Sequence, residues 1–454
     1  MKNSKIGLDL RTIRKIGRVT MDKKYNQLYF FVFAAILAGM ILIIFRQPFF
    51  SGKTLFSLDG APHYKKNYSQ GIFESLSATW NNSMLGNRST VQPFHPSRLP
   101  AIIFPPLVYH VLVYVFDTIL LYLAGLYFLR GRGIKGPSAY IASIALAFSG
   151  YIFTLISAGH RGLFDMMPYA VFVFGFLDRG IERQSLFHFA MAGACAAFGM
   201  IGQPDVMALF GILAAVYAVF RFIVMLPKEK KQRYAYIGRN VCGGTLAMVF
   251  FLLLSIAMFW HLFTKIMPGR EAQIKSSRQD PWVFATNWSL PPEDILEFVA
   301  PCVYGIETGD RNGPYWGRLG QTLGWKEHHQ GLFNLRQHTV YLGVIQLVFA
   351  AFGVTWAIRR RGQGAGVRGQ ESGVRGPADR RADIFFWAGV FVVCLLLAFG
   401  RYFPLYRLFY MLPLVNKIRC PVKFIHLCEV ALCFLFAFGL NAFFEDVKTI
   451  NNEQ

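Results

Sequence analysis

Residues 23–46 read KKYNQLYFFVFAAILAGMILIIFR: two lysines, an apolar run from Gln27 to Phe45 without a charge in it, then Arg46. At a helical rise of ~1.5 Å per residue the run covers about 28 Å, close to the ~30 Å hydrocarbon thickness of a bilayer. Lys2, Lys5, Arg11, Arg14, Lys15, Arg18, Lys23 and Lys24 precede it, and such a basic flank holds the N-terminus in the cytoplasm. No clear small-residue cleavage site follows. The segment is therefore expected to be a retained anchor, not a removed signal peptide.

The pattern recurs along the chain. Further apolar runs lie at 110–129, 138–157, 164–178, 186–202, 206–226, 241–262, 339–358, 384–400 and 424–443. The run at 164–178 is short and is expected to tilt or re-enter. Alternation from a cytoplasmic start gives inner connectors that carry Arg130, Arg132 and Lys135, then Arg179 and Arg183. The next carries Lys228, Lys230, Lys231, Arg233 and Arg239, and the last Arg359 to Arg361 with Arg368, Arg375, Arg380 and Arg381. Each is basic, as the positive-inside rule requires, and a miscounted helix would break the pattern.

The expected fold is an all-α polytopic membrane protein with about ten transmembrane helices. It comprises a basic cytoplasmic segment at 1–26, one multi-helix membrane domain over 27–443, and a cytoplasmic tail at 444–454. Both termini then lie inside and the location is the inner (cytoplasmic) membrane. Two long polar segments, 46–109 and 263–338, fall outside, with a shorter one at 401–423. Trp288-Ser-Leu-Pro-Pro-Glu-Asp places Pro and acidic residues as at a helix start, so short interfacial helices are expected in the long loops. The inner connector 359–383 repeats Gly-Val-Arg-Gly at 366–369 and 373–376 and reads as a flexible insertion.

Composition agrees. Hydrophobic residues make up 54% of the 454 and charged residues only 16%, with 45 Phe, whereas soluble chains carry about 25% charged residues. The net charge of +22 sits in the connectors, where it orients helices and meets anionic lipid, so no nucleic-acid partner is expected. The seven Cys form no CxxC pair and no His–Cys metal spacing, and neither a metal nor a cofactor is expected. Cys302 and Cys420 fall in the outer loops.

Several polar residues stand where chemistry outside the cytoplasm would need them. Asp59, in Phe56-Ser-Leu-Asp-Gly, follows the first span and suits a general base. Asp-Gly is also a common turn pair. His160 and Arg161 occupy one short outer turn with Asp165 nearby, and Gln203-Pro204-Asp205 the next. These turns either line a common pocket or simply face water. Arg401, Arg407, Lys417, Arg419 and Lys423 form a basic outer cluster against the inside-positive trend. The cluster suits a lipid-linked phosphate, and snorkelling anchors are the rival reading. Asp117 lies inside a span, unless residues 101–115 form an interfacial helix.

The chain resembles the YfhO family of bacterial membrane proteins, within the glycosyltransferase C superfamily. The resemblance rests on Ser57-Leu-Asp-Gly with Tyr64, Trp80-Asn with Gly86, Pro105-Pro106, Ala147-Phe-Ser-Gly-Tyr, Gly159-His with Pro168, and Gly202-Gln-Pro. It continues through Trp288-Ser-Leu-Pro-Pro-Glu, Pro314-Tyr-Trp-Gly-Arg, Gly400-Arg-Tyr-Phe-Pro-Leu-Tyr and Arg419-Cys-Pro-Val-Lys-Phe, in order over about 55–440. It implies transfer of a sugar from a polyprenyl-phosphate carrier to a glycan or envelope-polymer acceptor outside the cytoplasm, with Asp59 as the catalytic carboxylate. Arg401, Lys417, Arg419 and Lys423 would hold the donor phosphate, and Tyr64, His160, Arg161, Gln203 and Asp205 would line the substrate pocket. Lys423 replaces an expected Arg, Asp205 follows Gln-Pro where His-Pro-Gln is more usual, and family chains generally run on past this length. A lipid or solute transporter or flippase, and a non-catalytic envelope-assembly protein, are the alternatives.

The topology has a direct test. In intact cells an impermeant thiol reagent should label Gln70→Cys and Asp310→Cys but not Gln370→Cys, and outside labelling at 370 would overturn the count.

Overall fold

The computed structural model describes residues 10–55, 57, 94–134, 136–266, 268, 280–305, 317–319, 339–360, 377–412 and 418–453. Its long elements are helices: α1 (Leu10–Ile44), α2 (Pro106–Gly131), α3 (Pro137–Ala147), α4 (Gly150–Ala158), α5 (Arg161–Arg183) and α6 (Leu186–Gly202). There follow α7 (Pro204–Val224), α8 (Lys230–His261), α9 (Val344–Arg359), α10 (Pro377–Ala398) and α11 (Ile425–Glu453). No strand occurs among the described residues.

Seven helical stretches are long and apolar enough to cross a membrane: 27–44, 106–131, 137–158, 204–224, 230–264, 380–398 and 421–447. α6 and α9 are shorter apolar helices. The protein is thus an all-α membrane protein of several spans. Burial grades the spans. In the stretch 421–447, which includes most of α11, 89% of the apolar window is buried, against 11% at 27–44 and 12% at 230–264. α11 is the central post, while α1 and α8 present their apolar surface outward, as lipid-facing helices do.

Two elements differ from the sequence reading. The run at 138–157 is not one helix: it breaks at Phe148 and Ser149, and Ser149 caps the second piece through Ile152 N. The run at 164–178 is the middle of a longer helix, because charged residues that interrupt its hydrophobicity are paired inside the bundle. Further, α11 continues to Glu453 through the segment read as a tail, and α10 begins at Pro377 inside the segment read as an insertion.

Small residues set the closest approach. A Cβ at Gly439 of α11 would overlap the Phe349 carbonyl of α9, and one at Gly353 would stand 2.9 Å from Gly439 Cα. Only glycine admits this contact, which places α9 directly on the post. Lower in the bundle Trp387 of α10 packs edge-on against Phe434 of α11 and Phe174 of α5, with ring centroids 4.7 Å and 5.4 Å away.

The ends where α2, α5 and α7 finish and α10 starts share a buried ion network. Arg132 donates to Asp178 at 2.9 Å and also to Asp383, and Arg221 donates to Asp178 at 2.8 Å. Tyr217 adds its hydroxyl to Asp178 at 3.2 Å. Arg132 and Asp383 are fully buried, and Asp178 and Arg221 nearly so. Removing one partner from such a network leaves an uncompensated buried charge, worth ~3–5 kcal/mol. Arg132→Met should therefore lower thermal stability in detergent markedly, while Arg132→Met with Asp383→Leu should recover part of the loss. A single variant that melts like the wild type would contradict this account.

Candidate functional site

At the opposite end of the bundle, where α2, α5 and α7 begin, polar side chains are again buried, now in two adjoining groups. The first is built on Arg161. Its Nε donates to Asp165 Oδ2 at 3.3 Å, one helical turn on, and its Nη2 donates to the Tyr109 hydroxyl. The guanidinium also lies 5.0 Å from the centre of the Tyr109 ring. Ser97 Oγ stands 3.4 Å from Asp165 Oδ2 and 2.6 Å from His95 Nδ1. Asp117 of α2 is fully buried in the electrostatic field of Asp165 and Arg161. That settles its position: α2 starts at Pro106, so Asp117 belongs to a span and not to an interfacial helix.

The second group joins α7 to α11. Lys423 forms an ion pair with Asp205, and Gln203 Nε2 donates to the same carboxylate at 2.7 Å. Three residues beyond Lys423, His426 Nδ1 lies 3.1 Å from the Tyr151 hydroxyl of α4. The groups adjoin because α5 and the α6–α7 turn come together: a Cβ at Gly162 would meet Gly202 O closely and Gln203 Oε1 at 3.2 Å. His160, the N-cap of α5, lies within the electrostatic reach of His426.

A platform of short elements covers this end. The turn Pro281–Ala285, capped by Asp280, and the 3-10 turn Pro292–Phe298 flank it. Leu290 N donates to Ala398 O at 2.9 Å, Cys420 N to Ala285 O at 3.0 Å and Val422 N to Trp288 O at 3.0 Å. Backbone hydrogen bonds thus seat the 285–290 loop on the segments around 398 and 420. Arg401 reinforces the seat: Nη2 donates to Thr286 O at 2.7 Å and to Asn287 Oδ1 at 3.1 Å. Burial pulls its pKa below the ordinary arginine value. Arg419 lies over the Phe284 ring at 5.4 Å.

The residues expected to matter are therefore partly united. Gln203, Asp205 and Lys423 meet directly, His160 and Arg161 stand beside them, and Arg401 and Arg419 belong to the platform. Arg401 serves to hold loop carbonyls. Asp59, Tyr64 and Lys417 lie outside the described residues. Asp165 and Asp117, noted in the sequence, prove to be neighbours, whereas His95, Ser97 and Tyr109 carried no sequence signal beyond polarity. The arrangement supplies carboxylates, cations and hydroxyls in a water-poor setting, where electrostatic interactions are strong. Among the described residues, no group of three or more His, Cys, Asp or Glu is placed to hold a metal ion.

His95 gives this end a pH signature. Burial lowers its pKa from 6.5 to about 4, against the opposing field of Asp165. As pH falls below 6.5 the unfolded chain binds a proton that the folded chain refuses, so stability declines until the folded ring titrates near 4. The shift corresponds to about 3 kcal/mol. Melting temperatures of wild type and His95→Asn, taken from pH 7 to 4, should converge toward the acid end as the wild type loses this contribution. Parallel curves would show that the ring titrates as in solvent. No family model, no curated protein and no solved structure matches the chain.

Proposed function

We propose that the protein is a membrane glycosyltransferase that moves a sugar from a polyprenyl-phosphate carrier to a cell-envelope acceptor outside the cytoplasm. In this reading ten helical passes cross the inner membrane, α3 and α4 together forming one, and both termini are cytoplasmic. Charge supports the orientation. The ends that carry Arg130, Arg132, Arg179, Arg183, Arg221 and Arg380 are the basic ends, which face the cytoplasm. The polar site then faces out. Spacing supports the crossing of α5, since a rise of ~1.5 Å per residue puts Arg161 and Asp178 about 25 Å apart along its axis.

The single observation that carries the reading is the platform. It seats Arg419 over Phe284, four residues before the Lys423 that pairs with Asp205 at the start of an apolar span. A lipid-linked phosphate needs this juxtaposition: a planar guanidinium for the phosphate oxygens and apolar helix surface for the chain. Asp59 would take the proton of the acceptor hydroxyl while Arg419 and Lys417 stabilise the departing lipid phosphate. Arg401 would act by holding the loop.

A transporter or flippase is the second reading, favoured by the interruption at Phe148–Ser149 inside an apolar stretch, since broken helices line many transport sites. Purified protein given polyprenyl-phosphate sugar and an envelope glycan separates the two. Asp59→Asn should fold, retain donor and lose transfer by ~100-fold or more, the scale of general-base catalysis. Arg419→Ala should instead weaken donor retention. Transfer by Asp59→Asn at the wild-type rate would overturn the role of the carboxylate.

A further inference from the structure

One face of α11 and its preceding turn carries Lys423, His426 and Glu429, spaced by three so that they stack along the helix. A rise of ~1.5 Å per residue sets Glu429 about 9 Å deeper than Lys423. Lys423 is at the polar end and already paired with Asp205. His426 and Glu429 are buried, with 1% and 0% of their surface exposed.

Glu429 is an anomaly in an apolar post. The Cys433 thiol donates to Oε1 at 3.5 Å, and the Ser149 hydroxyl faces the carboxyl from the break between α3 and α4. Among the described residues, Oε2 makes no hydrogen bond of ordinary geometry, nor does Nε2 of His426. The groups that face Glu429 are Ser149 and Tyr151 from the broken helix and Cys428 and Cys433 from its own, with His426 one turn above and Cys394 of α10 beside Cys428. None is a lysine or arginine. A buried carboxylate without a cationic partner costs several kcal/mol (~3 or more) inside a membrane and marks function by default. One hydroxyl and one thiol are too few and too soft for an alkali or alkaline-earth cation, which takes about six oxygens. A proton needs only the open Oε2.

His426 Nδ1 lies 3.1 Å from the Tyr151 hydroxyl and 3.0 Å from the Lys423 carbonyl, and the Tyr151 phenol lies within the electrostatic reach of Glu429. We propose that Glu429 is a proton-exchanging site within the bundle, reached from the aqueous phase at the polar end through His426 and Tyr151. The step is a proton transfer alone: a proton from water reaches the Glu429 carboxylate through the imidazole and phenol, and returns the same way. The broken helix supplies the Ser149 hydroxyl and the Tyr151 phenol. This site stands independently of the sugar-transfer reading.

Infrared difference spectroscopy on the purified protein in nanodiscs tests it. Titration should reveal a protonated-carboxyl C=O stretch that Glu429→Gln removes, that shifts in D2O, and whose exchange slows at least several-fold in Tyr151→Phe. Should Glu429→Gln fail to fold, Ser149→Ala and Cys433→Ala should each move the same band. The proposal is overturned if Glu429→Gln leaves every titrating carboxyl band in place, if neither neighbour variant moves the band, or if the band resists D2O. Displacement of the band by Na+ or K+ at fixed pH would equally overturn it, by making a metal cation the ligand.

Discussion

Arg132 holds the bundle together at its basic end. It is fully buried, bonded to Asp178 of α5 and Asp383 of α10, and linked through Asp178 to Arg221 of α7. No member of this set is tolerable alone in an apolar setting, because an unpaired charge there costs several kcal/mol (~3–5). The four helices must therefore arrive together. An apolar contact can slide along a helix with little penalty, whereas a forked guanidinium between two carboxylates fixes axial position. The network thus sets the register of α2, α5, α7 and α10 relative to one another.

Fixed register at one end aligns the other. With Asp178 and Arg221 anchored, Arg161 and Asp205 stand at comparable height, about 24–25 Å along their helices at ~1.5 Å per residue. The Gly162–Gly202 approach then brings the two turns together, and α11 with its preceding turn contributes His426 and Lys423. The lipid-facing helices α1 and α8 bound the bundle, with only 11% and 12% of their apolar windows buried. The platform seats on this prepared end through backbone hydrogen bonds, which depend little on side-chain identity.

Much of the fold was legible because transmembrane helices are written in composition. Each of the ten apolar runs overlaps helix, although 138–157 holds a break and 339–343 precedes α9. What escaped was the interior. Arg161 and Arg179 bounded the apolar run and made α5 look short, since hydropathy counts a partnered guanidinium as polar; Arg161 is held by Asp165 and Arg179 by the Tyr127 carbonyl. The break at Phe148–Ser149 leaves no Pro or Gly before it; it is made by a Ser149 cap and by room at Gly150, whose Cβ would stand 3.2 Å from the Tyr341 ring. The Lys423–Asp205 pair joins residues far apart in the chain, and no local pattern announces such a pair. Arg401 was read as part of a phosphate-binding cluster; its bond to the Thr286 carbonyl was not legible, because that carbonyl belongs to a loop whose return path the sequence does not specify.

The central functional claim is that the polar end receives a lipid-linked phosphate. Native mass spectrometry of the protein released gently from its membrane measures this most directly. The account predicts a retained polyprenyl phosphate, bare or carrying a sugar, that adding excess polyprenyl phosphate displaces. A protein that releases only bulk phospholipid, and takes up no polyprenyl phosphate when it is offered, would contradict the claim.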